Sequence, residues 1–425
     1  PTMSYADLSS AECSTLLDEQ KRAYAAWKAK DLSLNMARGK PSSAQLDLSA
    51  PMLDVLNAES DLKAADGTDC RNYGVGVGIR EARELMATML DDEADRVIVG
   101  GESSLNLMYD AIARNWAFGT QGCTPWGKLD TVKWICPVPG YDRHFSITEL
   151  FGIEMINVPL NEDGPDMDAV EQLAADESVK GIWCVPTYSN PSGCTYSDEV
   201  VERLANMKAA EDFRIFWDNA YCVHHLSSDP AEQEHVADIA RACAAAGNPN
   251  RAYKFASTSK ITFPGAGIAA MASSEANIAE ITKLMNVQII GHDKLNQLRH
   301  VRFLRDAEGI AEHMAKHAAL LRPKFDLVEE TLTRELEGTG CTWTHPRGGY
   351  FVTFTGPQGT AKRIVELARE AGVTLTGAGA PFPYHKDPND AVIRIAPSLP
   401  PVEELAQALE VFCCCVKIAA LEKLV

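Results

Sequence analysis

Short apolar runs of strand length recur through the middle of the chain, at 97–99, 132–136, 181–185, 214–217, 251–255 and 268–271. Helical or Gly/Pro-rich stretches separate them, which predicts a mostly parallel sheet covered by helices. Outside this stretch the pattern changes. The first 30 residues carry a helical period that ends near Trp27, and a turn-like Met36-Ala37-Arg38-Gly39-Lys40-Pro41 follows. After about residue 310, apolar positions at Leu320, Leu321, Leu327, Val328, Leu332 and Leu336 predict a long amphipathic helix. Strands are expected next at 349–354 and 391–395. Ser398 and Pro401 then open a last helix, with Glu403 and Glu404 in its first turn. The predicted fold class is α/β: a large domain over 51–312 with a mostly parallel central sheet, and a smaller α+β domain assembled from 1–50 and 313–425.

Composition narrows the function. Of 425 residues, 46% are apolar and 23% charged, which excludes wholesale disorder. The net charge of −19 argues against nucleic acid as a partner, since no basic face is available for its phosphates. Small anions need only a few local cations and stay possible. No apolar run approaches the roughly 18 residues of a spanning helix, so no membrane partner is expected. Pro1-Thr2-Met3-Ser4-Tyr5 lacks the basic and apolar regions of a leader, and the expected location is cytoplasmic. Twelve cysteines show neither a C-x-x-C pair nor zinc-ligand spacing, which suits a reducing compartment and no metal. Cys413, Cys414 and Cys415 would point about 100° apart on a helix, so they read as small buried apolar residues.

Ligands of open parallel sheets bind beyond the carboxyl ends of the strands. After 97–99 comes Gly100-Gly101-Glu102-Ser103-Ser104-Leu105, small and hydroxyl residues opening a helix and suited to an anion. The next runs lead into Pro139-Gly140-Tyr141-Asp142-Arg143-His144, then Tyr188-Ser189-Asn190-Pro191-Ser192-Gly193. The last two lead into Asp218-Asn219-Ala220-Tyr221 and Ser257-Thr258-Ser259-Lys260. Five strand ends thus bring hydroxyls, an aromatic ring, an amide, a carboxylate and a lysine to one edge. Together they describe a site for a flat phosphorylated aromatic cofactor held by a lysine. Gly74-Val75-Gly76-Val77-Gly78 is not a dinucleotide loop, because it follows no apolar strand and lacks the third glycine position.

The order Pro-Gly-Tyr, Asn-Pro-Ser-Gly, Asp-Asn-Ala-Tyr, Ser-x-x-Lys and then a late-strand Arg394 resembles the fold-type-I, class I/II aminotransferases, from about Gly39 to Arg394. Those enzymes depend on pyridoxal 5'-phosphate (PLP). The resemblance implies that Lys260 is the lysine that joins the cofactor and shuttles protons. It implies that Asp218 pairs with the pyridinium nitrogen, with His144 behind it. Asn190 and Tyr221 would donate to the phenolate oxygen, Tyr141 would stack on the ring, and Ser103, Ser104 and Ser257 would hold the phosphate. Tyr73 would reach the phosphate of a partner subunit, implying a homodimer with shared active sites. Arg394 would bind the substrate α-carboxylate by a bidentate fork, beside Gly39 and Asn190.

One departure stands out: Gly267 occupies the place where the family carries a phosphate-binding arginine. A substitute cation, or a grip on a substrate side-chain carboxylate, is expected from Arg71 or from Lys283, Lys294, Arg299, Arg302 and Arg305. The latter five, with Asp293, give that stretch a local charge of 5 − 1 = +4. The resemblance is to a divergent bacterial branch associated with aspartate aminotransferase activity. It implies ping-pong transfer of an amino group from L-aspartate, or a related dicarboxylic amino acid, to 2-oxoglutarate. An aminotransferase for alanine or aromatic amino acids and a PLP-dependent lyase share the same core motifs and stay open.

Overall fold

The computed structural model describes residues 4–425, so Pro1, Thr2 and Met3 of the leader reading lie outside the described residues. In chain order the strands are β1 (Leu34–Asn35), β2 (Val97–Val99), β3 (Lys133–Val138), β4 (Glu154–Asn161), β5 (Gly164–Pro165), β6 (Val179–Cys184) and β7 (Arg214–Asp218). They continue as β8 (Ala252–Ser257), β9 (Ala269–Ala272), β10 (Thr342–Trp343), β11 (Val352–Thr355), β12 (Val373–Thr374) and β13 (Val392–Ile395).

Eight strands form the large sheet in the order β2-β9-β8-β7-β6-β3-β4-β5. The pairs from β8 through β7, β6 and β3 to β4 are parallel. Every residue of β6, β7 and β8 is buried, the pattern of parallel strands covered by helices on both faces. Two features differ from the sequence expectation. Strand β9 runs antiparallel to both β8 and β2. Residues 258–268, which join β8 to β9, hold no crossover helix, and a parallel return would need one. Strand β4 was not expected. It lies next to the sheet edge, and Asn157 and Pro159 interrupt its apolar residues, so no continuous strand-length apolar run marks it.

The first helix, Ser10–Lys28, starts with a capping box in which Ser9 accepts from Glu12 N–H and Glu12 accepts from Ser9 N–H. The long helix is Ala307–Leu336 and the last is Val402–Glu422. Ser398 does not cap that last helix; Pro401 stands at the cap position. The Ser398 hydroxyl instead donates to the Lys40 carbonyl at 2.8 Å, and its own carbonyl accepts from Lys324 Nζ at 2.7 Å. One apolar cluster joins Cys13 and Leu17 of the first helix to the long and last helices, with Cys413, Cys414 and Cys415 buried inside it. The remaining clusters fill the two faces of the large sheet.

Trp134 of β3 packs its ring among Trp126, Trp183 and Phe216, with centroids 5.7, 5.5 and 5.1 Å away. Gly181 on β6 lies beneath that ring, and a methyl group there would run into it. Gly181→Ala is therefore expected to lower stability by about 1–3 kcal/mol through overpacking, read as a reduced urea midpoint. An unchanged midpoint would mean that the four-ring cluster can shift.

Candidate active site

Ser103 caps helix Ser104–Phe118, accepting from Asn106 N–H at 3.2 Å. The free N–H groups of that first turn and the positive end of the helix dipole face the carboxyl edge of the sheet. Tyr141, beyond β3, opens helix Asp142–Leu150, which places His144 one turn in. The His144 imidazole is buried, lies flat on Trp183 at 4.4 Å and 10°, and its Nε2–H donates to Asp218 Oδ2 at 2.8 Å. Asp218 ends β7 and is only 3% exposed. Its other oxygen, Oδ1, is buried with no hydrogen-bond partner, as is Oδ1 of Asn190.

Lys260 lies in the connection between β8 and β9, its ammonium 4.8 Å from the ring centre of buried Tyr221 and 5.8 Å from that of Tyr350. Burial holds its pKa below the ordinary lysine value. Tyr141 and Asp218 oppose that shift, and the positive charge of Arg394 adds to it. Burial also pushes Tyr141 up to about 12. Arg394, on β13, stacks 4.4 Å from the Phe351 ring centre and donates from Nη2 to the Ala37 carbonyl at 3.0 Å. Its Nε is buried without a partner. Gly39 lies against Phe351 so closely that any Cβ would strike the ring, so only glycine lets the Ala37–Gly39 backbone reach Arg394.

These groups surround one cavity of about 400 Å³. Gly39, Ser103, Ser104, Tyr141 and Asn190 line it, as do Asp218, Tyr221, Ser257, Lys260 and Arg394. His144 acts on it from behind, through Asp218. Tyr73 does not line it; that side chain is 81% exposed on the surface. Further lining residues had been given no role from sequence, among them Arg38, Asp142, Arg143, Ser259 and Phe351. Arg143 and Ser259 stand inside the motifs already quoted, whereas Phe351 lay hidden in an apolar strand pattern. A larger cavity of about 650 Å³ lies below Asn219 and Cys222, but it is lined by Asp91 and Glu312 with no lysine or arginine, and so suits no phosphate.

The expected substitute cation is not where the sequence placed it. Among the described residues, neither Arg71 nor any of Lys283, Lys294, Arg299, Arg302 and Arg305 lines the cavity. Arg71 pairs with Asp69 and Arg305 with Glu312, each at 2.8 Å. Lys294 Nζ donates to the Gly74 carbonyl at 2.9 Å. Arg299 donates to Asn296, whose amide holds the Ala266 and Gly267 carbonyls at 3.0 Å each. A Cβ at Gly267 would lie 2.8 Å from Thr258 Oγ1 and 3.0 Å from the Phe263 carbonyl, so an arginine there would require this turn to shift.

A lysine with lowered pKa, a buried carboxylate with an unspent acceptor, hydroxyls at a helix N-terminus and an arginine on a flanking strand, all at the carboxyl edge of this sheet, define the fold-type-I class of PLP-dependent transferases. The chain belongs to the aspartate aminotransferase family, whose model, described as "Aspartate amino-transferase", matches residues 8–425. It is 50% identical over 408 residues to the aspartate aminotransferase of Corynebacterium glutamicum, covering 95% of this chain and 94% of that one. The crystal structure of an aspartate transaminase from C. glutamicum superposes with a TM-score of 0.97 at 48% identity, covering all of both chains. An α-aminoadipate aminotransferase from Thermus thermophilus, solved with N-(5'-phosphopyridoxyl)-L-leucine, shares the fold at a TM-score of 0.73. Its identity is 19%, over 94% of this chain and 96% of that one. The protein is an aminotransferase.

The charges around Lys260 make a signed prediction. Arg394 lowers the Lys260 pKa, so Arg394→Leu is expected to raise it, and Asp218→Asn, which removes an opposing charge, to lower it. Competitive amine labelling of the cofactor-free protein across pH measures both; shifts of the same sign in the two variants would contradict this electrostatic account.

Proposed function

We propose that this enzyme is a PLP-dependent aspartate aminotransferase, moving the amino group of L-aspartate or a related dicarboxylic amino acid to 2-oxoglutarate by a ping-pong mechanism. The observation that carries the reading is one cavity lined together by lowered-pKa Lys260, Asp218 with its unspent oxygen, and Arg394. The residues fit PLP: Asp218 Oδ1 has the acceptor a protonated ring nitrogen needs, and the first turn of helix Ser104–Phe118 has the donors a phosphate needs. When bound, PLP supplies an electron sink for the charge that develops at the substrate Cα.

The chain supplies the rest. His144 orients the Asp218 carboxylate and occupies its second oxygen. Asn190 and Tyr221 take the phenolate edge and Tyr141 takes the ring face. Ser103, Ser104, Ser257 and Ser259 take the phosphate, where the first-turn N–H groups stand in for part of the missing arginine. Arg394 binds the substrate α-carboxylate, with the Ala37 carbonyl fixing its fork and Gly39 alongside. Lys260, neutral at lower pH than a surface lysine, takes and returns the Cα proton. Besides Lys260 and Arg394 the cations on the cavity wall are Arg38 and Arg143, which outnumber the one further acid there, Asp142, and a second substrate carboxylate would meet these two. That pair supports a dicarboxylic substrate.

Tyr73 and Val75 are exposed beside Val287 and Ile290, and the backbones of Gly74 and Gly291 touch between them. We assign this apolar surface to a homodimer in which Tyr73 reaches the neighbouring cavity. The large unit, 51–312, would carry the cofactor, and the small unit, 1–50 with 313–425, would deliver Gly39 and Arg394. Twelve free cysteines support a cytoplasmic location, and no helix among the described residues is long and apolar enough to cross a membrane.

Lys260→Ala is expected to abolish both the visible band of the PLP-loaded protein and transamination; transamination near the wild-type rate would overturn the assignment. Arg143→Ala removes a charge-assisted contact, so its kcat/KM for aspartate should fall about 10- to 100-fold with little change for alanine. Equal losses for both substrates would take Arg143 out of side-chain recognition.

A further inference from the structure

A cluster of buried polar side chains stands directly behind Lys260 and plays no part in the chemistry above. The carbonyl of the next residue, Ile261, accepts from His313 Nε2 at 2.8 Å, His317 Nε2 at 2.9 Å and Ser49 Oγ at 3.2 Å. A buried carbonyl needs one donor, and its two lone pairs are more than filled by three. The donors come from distant parts of the chain. His313 and His317 lie one turn apart on the same face of helix Ala307–Leu336, and Ser49 follows the short helix Ser43–Asp47.

Gln45 Nε2 faces His317 Nδ1 at 3.2 Å, which makes Nδ1 the acceptor and puts the His317 proton on Nε2, toward Ile261. His313 Nε2 lies 2.8 Å from the same carbonyl and also 3.2 Å from Ser49 Oγ and 3.2 Å from His317 Nε2, so the three side chains converge on one point. The other Gln45 amide hydrogen goes to the Tyr350 hydroxyl at 2.8 Å, while Gln45 Oε1 accepts from Ser42 N–H at 3.0 Å. Every polar atom of Gln45 is thereby committed. Burial keeps both imidazoles neutral, with His317 pushed down to about 4.

The geometry points to a positioning clamp: Ser49, His313 and His317, oriented by Gln45, hold the Ile261 peptide so that Lys260 enters the cavity in one direction. The Ile261 N–H is bonded to the Thr258 carbonyl at 2.9 Å, so residue 261 is pinned at both its amide and its carbonyl. A lysine side chain is long and has several rotatable bonds, so where its amine sits depends first on a fixed Cα. The clamp also ties the Lys260 turn to the segment after Gly39 and, through Tyr350, to the strand that follows Phe351. This inference rests on the reading of Lys260 as the reacting amine.

The test is the pH titration of the visible band of the PLP-loaded protein in wild type, His317→Leu and His317→Gln. Leucine removes the donor to Ile261, whereas glutamine keeps an N–H at similar reach. His317→Leu is expected to move the titration midpoint by about half a unit or more. It should also lower kcat about tenfold, as a slightly misdirected amine would. KM for the amino-acid substrate should stay within about twofold, and His317→Gln should restore all three. A leucine variant with wild-type midpoint and kcat, or a glutamine variant no better than leucine, overturns the clamp. If His317→Leu does not fold, His317→Asn keeps a polar partner for Gln45 while withdrawing the donor from Ile261; a moved midpoint supports the clamp and an unmoved one overturns it. Lys260→Ala separates the two levels. If it keeps the visible band, the Lys260 reading and the clamp fall together; if it loses the band while His317→Leu behaves as wild type, the clamp alone falls.

Discussion

A carboxylate buried to 3% exposure with only one of its oxygens bonded is a costly thing to build, and Asp218 is that carboxylate. Removing a charge from water without full hydrogen bonding costs several kcal/mol, so the fold must hold it in place for a purpose other than stability. The support is elaborate. Asp218 ends a fully buried strand, and His144 donates to it from the neighbouring helix while lying flat on Trp183 of β6. Asp218 lines the cavity, and its free oxygen is the acceptor that a cationic ring nitrogen would complete. Much of the surrounding architecture serves to keep that one acceptor dry, aimed and unspent.

The same logic governs the opposite wall. Lys260 and Arg394 share a small cavity, and burial makes each charge less favourable than in water. The cost falls differently on the two. A lysine can shed its proton and become a nucleophile and base, whereas an arginine stays charged and must find an anion. Arg394 finds a partial one in the Ala37 carbonyl and an aromatic face in Phe351, and its buried Nε has no hydrogen-bond partner. Gly39 belongs to this arrangement through packing: the backbone carbonyl can reach the guanidinium only because residue 39 has no side chain to strike Phe351.

Much of this was legible in the sequence because a parallel sheet gathers its strand ends at one edge. Reading what followed each apolar run found Tyr141, Asn190, Asp218, Tyr221, Ser257 and Lys260, and the structure brings all six to one cavity. What could not be read depended on contacts remote in sequence. The antiparallel sense of β9 leaves no mark on a strand composed of Ala and Met. In β4 the apolar residues are broken by Asn157 and Pro159, which hides a strand next to the sheet edge. Ser398 has the residue type of a helix cap, yet it spends its hydroxyl on Lys40 far away in the chain. A basic stretch looked like a source for the missing phosphate cation, and three of its five cations, Lys294, Arg299 and Arg305, are instead spent on Gly74, Asn296 and Glu312. Charge counted along a helix does not say which way the side chains point.

The most direct test of the central claim is the visible spectrum of the PLP-loaded enzyme as L-aspartate and then 2-oxoglutarate are added. The account predicts a band that bleaches on aspartate as the amino group is taken up, and recovers on 2-oxoglutarate as it is passed on. A band indifferent to aspartate that bleaches with alanine or an aromatic amino acid would contradict the assignment of a dicarboxylic substrate to this cavity.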